Sequence, residues 1–317
     1  MRREWSLAIA IVALAIVLAF AAPPYFSTEN LRDLFLVNMP VLVVAIGATL
    51  VILTGEIDIS VGSLFAVCGV VAGVAAKAGL PAAVAGLVAC AFGAALGALN
   101  GALVAYGRIP SIVVTLAAMV ALRDGLRWIT QGAWVENLPS RFQWLGLSQA
   151  SFPIAIGCGV ATLLLATAWG MRNIAAGRAV YATGSNVEAA RLAAIDTRRV
   201  KLWVFAIGGA LTGLAALLNS VRFNQIPSNT GLGLEMKVIA SVVIGGAAIT
   251  GGRGTFTGTV LGVVLLGGTG PALTFLGVSA QWERAVQGAI ILAAVTMDAV
   301  RARRAAPLST NPGRSLN

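Results

Sequence analysis

The sequence predicts an all-α, polytopic membrane bundle with about ten transmembrane helices and both termini on the cytoplasmic side. Three observations predict it. First, 58% of the 317 residues are hydrophobic and only 11% are charged, where a soluble globular chain carries about 25% charged residues. Second, the apolar residues fall in repeated runs of membrane-crossing length. Third, these runs are too long and too little alternated for barrel strands, and helices are then the way to satisfy the backbone in lipid.

The spans follow in order. The first covers about Leu7 to Ala22, behind a basic start at Arg2 and Arg3. Pro23-Pro24 follows it without a small-residue cleavage site, so it is taken as a span and not a removed signal. Spans two to six cover Val37–Leu53, Val61–Ala76, Ala82–Tyr106, Ser111–Ile129 and Pro153–Gly170. Spans seven to ten cover Leu202–Ser220, Leu234–Ile249, Phe256–Leu276 and Arg284–Met297. Residues 1–305 make one transmembrane domain, and 306–317 a polar tail expected to be disordered. Ten spans place both termini on one side. About fourteen of the 22 Lys and Arg residues then fall on inner segments and about eight on outer ones, which puts that side inside.

Residues 171–201 interrupt the apolar pattern near the middle. They hold Arg172, Arg178, Arg191, Arg198, Arg199 and Lys201 against Glu188 and Asp196. A short helix is expected from Val187 to Ile195, with Asn186 as N-cap and Glu188 where the dipole favours it. Ala189, Leu192 and Ile195 share one small apolar stripe on it. A basic loop of this kind also suits anionic lipid.

Two other stretches stand out. Gly55 to Ser63, GEIDISVGS, and Gly251 to Thr259, GGRGTFTGT, share the spacing of their glycines. Paired glycine-interrupted segments point to a pathway at a repeat interface; the alternative is two tight turns. The link from Gln131 to Phe152 carries Trp134, Phe142, Trp144 and Phe152, read either as an interfacial aromatic belt or as a docking surface for an external protein. Within span four, Gly93, Gly97 and Gly101 recur every fourth residue, the spacing at which helices approach closely in lipid.

Composition excludes several functions. There is no histidine, hence no Ser-His or Cys-His arrangement. The three cysteines, Cys68, Cys90 and Cys158, lack disulfide or metal spacing. No Gly-Lys-Ser/Thr sequence exists, so there is no phosphate-binding P-loop. The net charge of +10 is scattered between spans, which argues for lipid and not nucleic acid as the partner. The spans show no charge relay of the kind proton-coupled carriers use.

Five stretches carry a family resemblance. They are LTGEIDISVGS (53–63), NGALVAYGRIPSIVVTLAAM (100–119), Gly177 with the RAVYATGSNVEAARLAAI that follows it (178–195), GLEMKVIASVVIGG (233–246) and GGRGTFTGTVLG (251–262). Together, and in order, they resemble the membrane permease subunits of bacterial sugar ATP-binding-cassette importers, the ribose, rhamnose and autoinducer-2 group. TQGAWVENLP (130–139) with GLEMKVIA is most similar to the autoinducer-2 and rhamnose branch.

The resemblance implies an inner-membrane subunit that is not itself an enzyme. It implies a second permease subunit, a cytoplasmic ATPase that uses ATP and Mg, and a periplasmic sugar-binding protein; no cofactor is expected on this chain. It makes the central loop the ATPase coupling element, through Asn186, Glu188, Ala189, Ala190, Arg191 and Ile195. Glu56, Asp58, Ser60, Asn100, Asn219, Asn224, Gln225, Glu235 and Gln287 become candidates for the translocation path or its gates, with interhelical hydrogen bonding as the alternative role for the amides. The chain departs from the family at Ala194, where glycine is usual, and a helix running further than usual is the expected consequence. An ion-coupled secondary carrier is the alternative function, and an intramembrane enzyme a more distant one.

Overall fold

The computed structural model describes residues 2–279, together with residues 282, 285, 288, 289 and 292. Among these, the chain forms α1 (Arg2–Ala21), α2 (Thr28–Leu53), α3 (Val61–Lys77), α4 (Ala82–Ala105), α5 (Ser111–Thr130) and α6 (Phe152–Asn173). It continues through α7 (Ala175–Ser185), α8 (Val187–Leu192), α9 (Thr197–Ser220), α10 (Leu234–Ile244) and α11 (Phe256–Phe275). Six of the described helices, α1, α2, α4, α6, α9 and α11, are long and apolar enough to cross a membrane. Most of the expected tenth span, Gln287 and the tail over 306–317 lie outside the described residues.

Helix α2 is the central column. From Pro40 to Leu53 every residue is buried, so this stretch faces protein on all sides and shows no polar face. Helices α4 and α9 pack against each other beside it. The fourfold glycine spacing on α4 does what it predicts. A Cβ on Gly97 would lie 2.3 Å from the Phe205 carbonyl oxygen, and one on Gly93 would lie 2.3 Å from that of Gly209. The two backbones therefore meet directly, which maximises dispersion contact where no hydrophobic effect drives helices together.

The chain ends of the helices sort into two groups. The N-termini of α1 and α11 adjoin, through Thr255 Oγ1 donating to Glu4 at 2.6 Å. The links 54–60, 106–110, 174–196 and 245–255 share that end, here named the basic end. At the opposite end, link 131–151 pairs with link 221–233 through reciprocal bonds between Val135 and Ile226, of 3.0 and 2.9 Å.

Several expected boundaries need correction. Span two begins at Thr28, nine residues before Val37, because Ser27 caps it by accepting from the Asn30 N–H. Span eight stops at Ile244, not Ile249, as Gly246 takes a left-handed φ of 100°. Most of 171–201 is helical: α6 continues to Asn173, α7 follows, and α9 starts at Thr197. The side chain of Asp196 accepts from the Arg198 and Arg199 N–H groups, both at 3.1 Å, so it caps α9 and does not merely end α8.

The helix expected over Val187 to Ile195 is also shorter, ending at Leu192 and not Ile195. Ala194 does not prolong it. It adopts φ 59°, with the Ile195 N–H bonded to the Ala190 carbonyl at 3.0 Å and the Ala194 N–H to that of Arg191 at 2.9 Å. This is a Schellman termination with alanine in the place glycine favours. The left-handed backbone costs a non-glycine residue roughly 1–2 kcal/mol. Ala194→Gly is therefore expected to stabilise the protein by about 1 kcal/mol, read as a rise in thermal-inactivation midpoint; a fall would mean the α8 turn has another geometry.

The aromatic link is not a belt. Phe142 and Phe152 are buried, and Trp144 meets Phe152 edge-on with centroids 5.2 Å apart. Of the four aromatics, Trp134 is the one substantially exposed, at 46%.

Candidate functional site

At the basic end, the two glycine-spaced stretches and α7 converge. Gly55 and Gly251 share a left-handed φ, 81° and 86°. The Gly252 N–H donates to the Leu53 carbonyl at 2.9 Å, next to Gly184 of α7. A Cβ on Gly184 would sit 1.9 Å from that same Leu53 oxygen and 2.6 Å from the Gly252 nitrogen. Tyr181 of α7 donates to the Gly254 carbonyl at 3.1 Å. Helix α7 thus joins α8 to both links at once. The hydroxyl residues that close the two stretches bind across helices: Thr259 meets Thr49 of α2 at 2.8 Å, and Ser63 donates to the Met119 carbonyl of α5 at 2.8 Å.

The 54–60 link is anchored along its length. Glu56 pairs with Lys201 of α9. Ile57 donates to Ser111 Oγ at 3.2 Å. Asp58 is buried, and its Oδ1 accepts from the Ser60 N–H at 2.8 Å and from Ser60 Oγ at 2.6 Å. Asn100 of α4 donates to Ser60 Oγ at 3.0 Å. A buried carboxylate is tolerated when bonded in this way. Asp58→Ala removes the acceptor and leaves the Ser60 N–H and hydroxyl without it, at about 1–3 kcal/mol. Reduced uptake and a lowered thermal midpoint are expected together; unchanged uptake at normal expression would return the link to a plain turn.

Beside this link lies a cleft of about 270 Å³, lined by Glu56, Arg108, Arg191, Arg198 and Lys201 among others. It opens next to α8. Asn186 caps that helix, its Oδ1 accepting from the Glu188 and Ala189 N–H groups, both at 3.0 Å. Arg191 pairs with Glu188 at 3.8 Å on the exposed face. Ala190 is buried, and Leu192 is 84% exposed. Of the coupling candidates, Glu188, Ala189 and Arg191 therefore face outward, Ile195 is half-buried, and Ala190 seats the helix on its own protein. The outward apolar residue is Leu192; its place on the predicted stripe was the signal that could have found it.

At the opposite end, Asn219, Asn224 and Gln225 line one pocket of about 280 Å³ with Ser220, Phe223 and Thr230. Arg222 stands beside it, over the ring of Phe223 at 5.4 Å. Burial pulls its guanidinium pKa down, and Asp33 partly offsets this. The structure places these amides far along α9 from Asp58 and Asn100. The path candidates thus form two groups, one at each end.

Glu235 belongs to neither group. Its Oε2 lies 3.7 Å from Arg123 Nη2, with the Glu235 side chain 9% exposed and that of Arg123 24%. Arg123 lies within α5, which runs to Thr130, and it faces α10; the two side chains make one ion pair and not a charge relay. Neither Arg123 Nη2 nor Glu235 Oε2 has a hydrogen-bond partner.

The family described as "Branched-chain amino acid transport system / permease component" matches residues 30–295. The chain is 36% identical over 296 residues to the autoinducer 2 import system permease protein LsrC of Yersinia pseudotuberculosis serotype O:1b (strain IP 31758), covering 93% of this chain and 84% of that one. It is 37% identical over 301 residues to the protein of the same name from Salmonella typhi, covering 93% and 85%. No solved structure matches. With that match over most of its length, and with multiple apolar helices, this chain belongs to that permease family: it is a multi-pass bacterial inner-membrane permease subunit, a transport component and not an enzyme.

Proposed function

We propose that the chain forms the translocation path of an ATP-binding-cassette importer for a small hydroxylated solute of the autoinducer-2 type. A separate cytoplasmic ATPase drives it through α8, and a periplasmic binding protein delivers the solute. The observation that carries this reading is α8 itself, a capped six-residue helix with an exposed leucine. It is tied through Gly184 and Tyr181 of α7 to both glycine links. A push on α8 is transmitted to rigid, hydrogen-bonded backbone, the kind of element that can switch between discrete arrangements.

The solute class follows from the relatives' names and from chemistry. The opposite-end pocket offers uncharged amides and hydroxyls, which suit a neutral polyol and hold it weakly enough to pass. In this reading the basic end is cytoplasmic, by the positive-inside rule, and the amide pocket is periplasmic. The permease acts as a dimer, as the family resemblance implies.

The test is uptake into proteoliposomes holding the permease with its ATPase and binding protein. Autoinducer-2 is expected to enter only with ATP, and rhamnose and ribose serve as comparison solutes. Uptake sustained by a proton gradient without ATP would instead support the ion-coupled carrier. A Ser185→Cys variant, with Cys68, Cys90 and Cys158 replaced, is expected to label from the cytoplasmic side alone.

A further inference from the structure

Helices α6, α7 and α9 leave a groove between them, floored by Leu50 of α2, with a volume of about 590 Å³. Leu163, Met171, Val180, Val204 and Leu211 line it, and Arg199 is its one charged lining residue. The fold builds the groove at a corner. Helix α6 ends at Asn173, and α7 turns back so closely that a Cβ on Gly177 would lie 2.4 Å from the Met171 Cα. Ile174, Trp203 and Ile207 stand on it with 49%, 63% and 44% of their surfaces exposed. None of the coupling or path candidates lines this groove, and transport as described makes no use of it.

We propose that this groove holds an acyl chain of an anionic phospholipid whose headgroup rests on the basic rim. Two observations choose this occupant. The first is charge. Arg199 lines the groove, and Arg172 and Arg178 are exposed next in sequence to its lining residues Met171 and Gly177, with Arg178 also donating to the Asn173 carbonyl at 3.2 Å. The nearby acid, Asp196, is engaged with Arg199 at 3.0 Å and caps α9. Exposed Trp169 and Trp203 accompany them, as aromatics do at headgroup level. Basic groups at that level attract anionic lipid.

The second observation is the lining. Apart from Arg199 and Thr167, whose hydroxyl donates to the Leu163 carbonyl at 2.7 Å, it is apolar throughout, a surface that suits hydrocarbon. The lipid then fills the corner between the coupling segment α7 and the membrane-crossing helices. Its headgroup charge sits beside the residues that set the position of α8.

The test is native mass spectrometry of the full chain released from detergent containing equal phosphatidylglycerol and phosphatidylethanolamine. One phosphatidylglycerol per chain is expected to remain in preference. Arg172→Gln combined with Arg199→Gln should lower that preference by about tenfold or more, since each lost charge is worth about fivefold. Ala166→Trp, which fills the groove, should abolish retention of the tightly held lipid while circular dichroism stays unchanged. Equal retention of the two lipids, or retention unaffected by both variants, would overturn the proposal. So would efficient disulfide cross-linking between copies through Trp203→Cys in membranes, which would show a second chain covering the groove.

Discussion

Leu192→Glu is expected to abolish most ATP-driven uptake while the permease stays folded and inserted. Leu192 is 84% exposed at the last turn of α8, on the side away from its own protein. A leucine held out on a short capped helix gains nothing for its own fold, and it offers a partner a hydrophobic anchor. Truncating an anchor at the centre of an interface costs roughly 2 kcal/mol or more, about thirtyfold in an equilibrium constant. A buried, unpaired glutamate costs further.

The measurement is uptake, with ATPase co-purification as a second readout, and both should fall together. Leu192→Met, which keeps an apolar side chain of similar size, should retain both. Ala190→Trp separates docking from seating. Ala190 is 3% exposed and lies under α8, so a bulky residue there should unseat the helix and open α7 and α8 to protease, which Leu192→Glu should not do. Normal uptake by Leu192→Glu would remove α8 from the coupling role.

The second large effect is expected at Glu235. Glu235→Ala should destabilise the folded protein by about 3–5 kcal/mol, the cost of leaving a buried charge uncompensated. The residue left behind is Arg123, whose Nη2 is buried and without a hydrogen bond. Glu235 is also closely enclosed: a Cβ on Gly62 would lie 2.0 Å from its Oε2, and 2.6 Å from the Gly231 carbonyl oxygen. The carboxylate therefore occupies space that a glycine in α3 leaves open.

Removing both charges, as Arg123→Ala with Glu235→Ala, should recover most of the loss, because the penalty comes from the orphaned partner more than from the missing attraction. Thermal-inactivation midpoints of the two single variants and the double variant close the cycle. Additive losses would show that the two side chains act independently. If the pair also moves during transport, the double variant will be stable but slow, and comparing uptake with stability separates the two roles.

Local features of the chain were legible because they are governed by neighbours in sequence. Apolar runs of membrane length placed the described spans to within a few residues at most ends, since hydrocarbon thickness and helical rise leave little freedom. Asn186 announced a helix start because an amide one residue before a helix can bond its first free N–H groups. Gly93, Gly97 and Gly101 announced a contact face because fourfold spacing repeats on one side of a helix. The glycine likeness of 55–63 and 251–259 was visible too, although not that the two stretches touch.

What the tertiary structure alone decided depends on residues distant in sequence. Glu56 meets Lys201, Asn100 meets Ser60, and Arg123 meets Glu235; no periodicity encodes which charge finds which partner across a bundle. Phe142 and Phe152 look like surface aromatics in a polar link until two links fold together and bury them. Ala194 is the clearest case. Propensity favours continuing the helix through alanine, yet the cap of α9 at Asp196 and the Schellman bonds of α8 require a turn there. The gain from satisfying both helix ends exceeds the cost of one left-handed alanine, and that balance can be read only once both helices are in place.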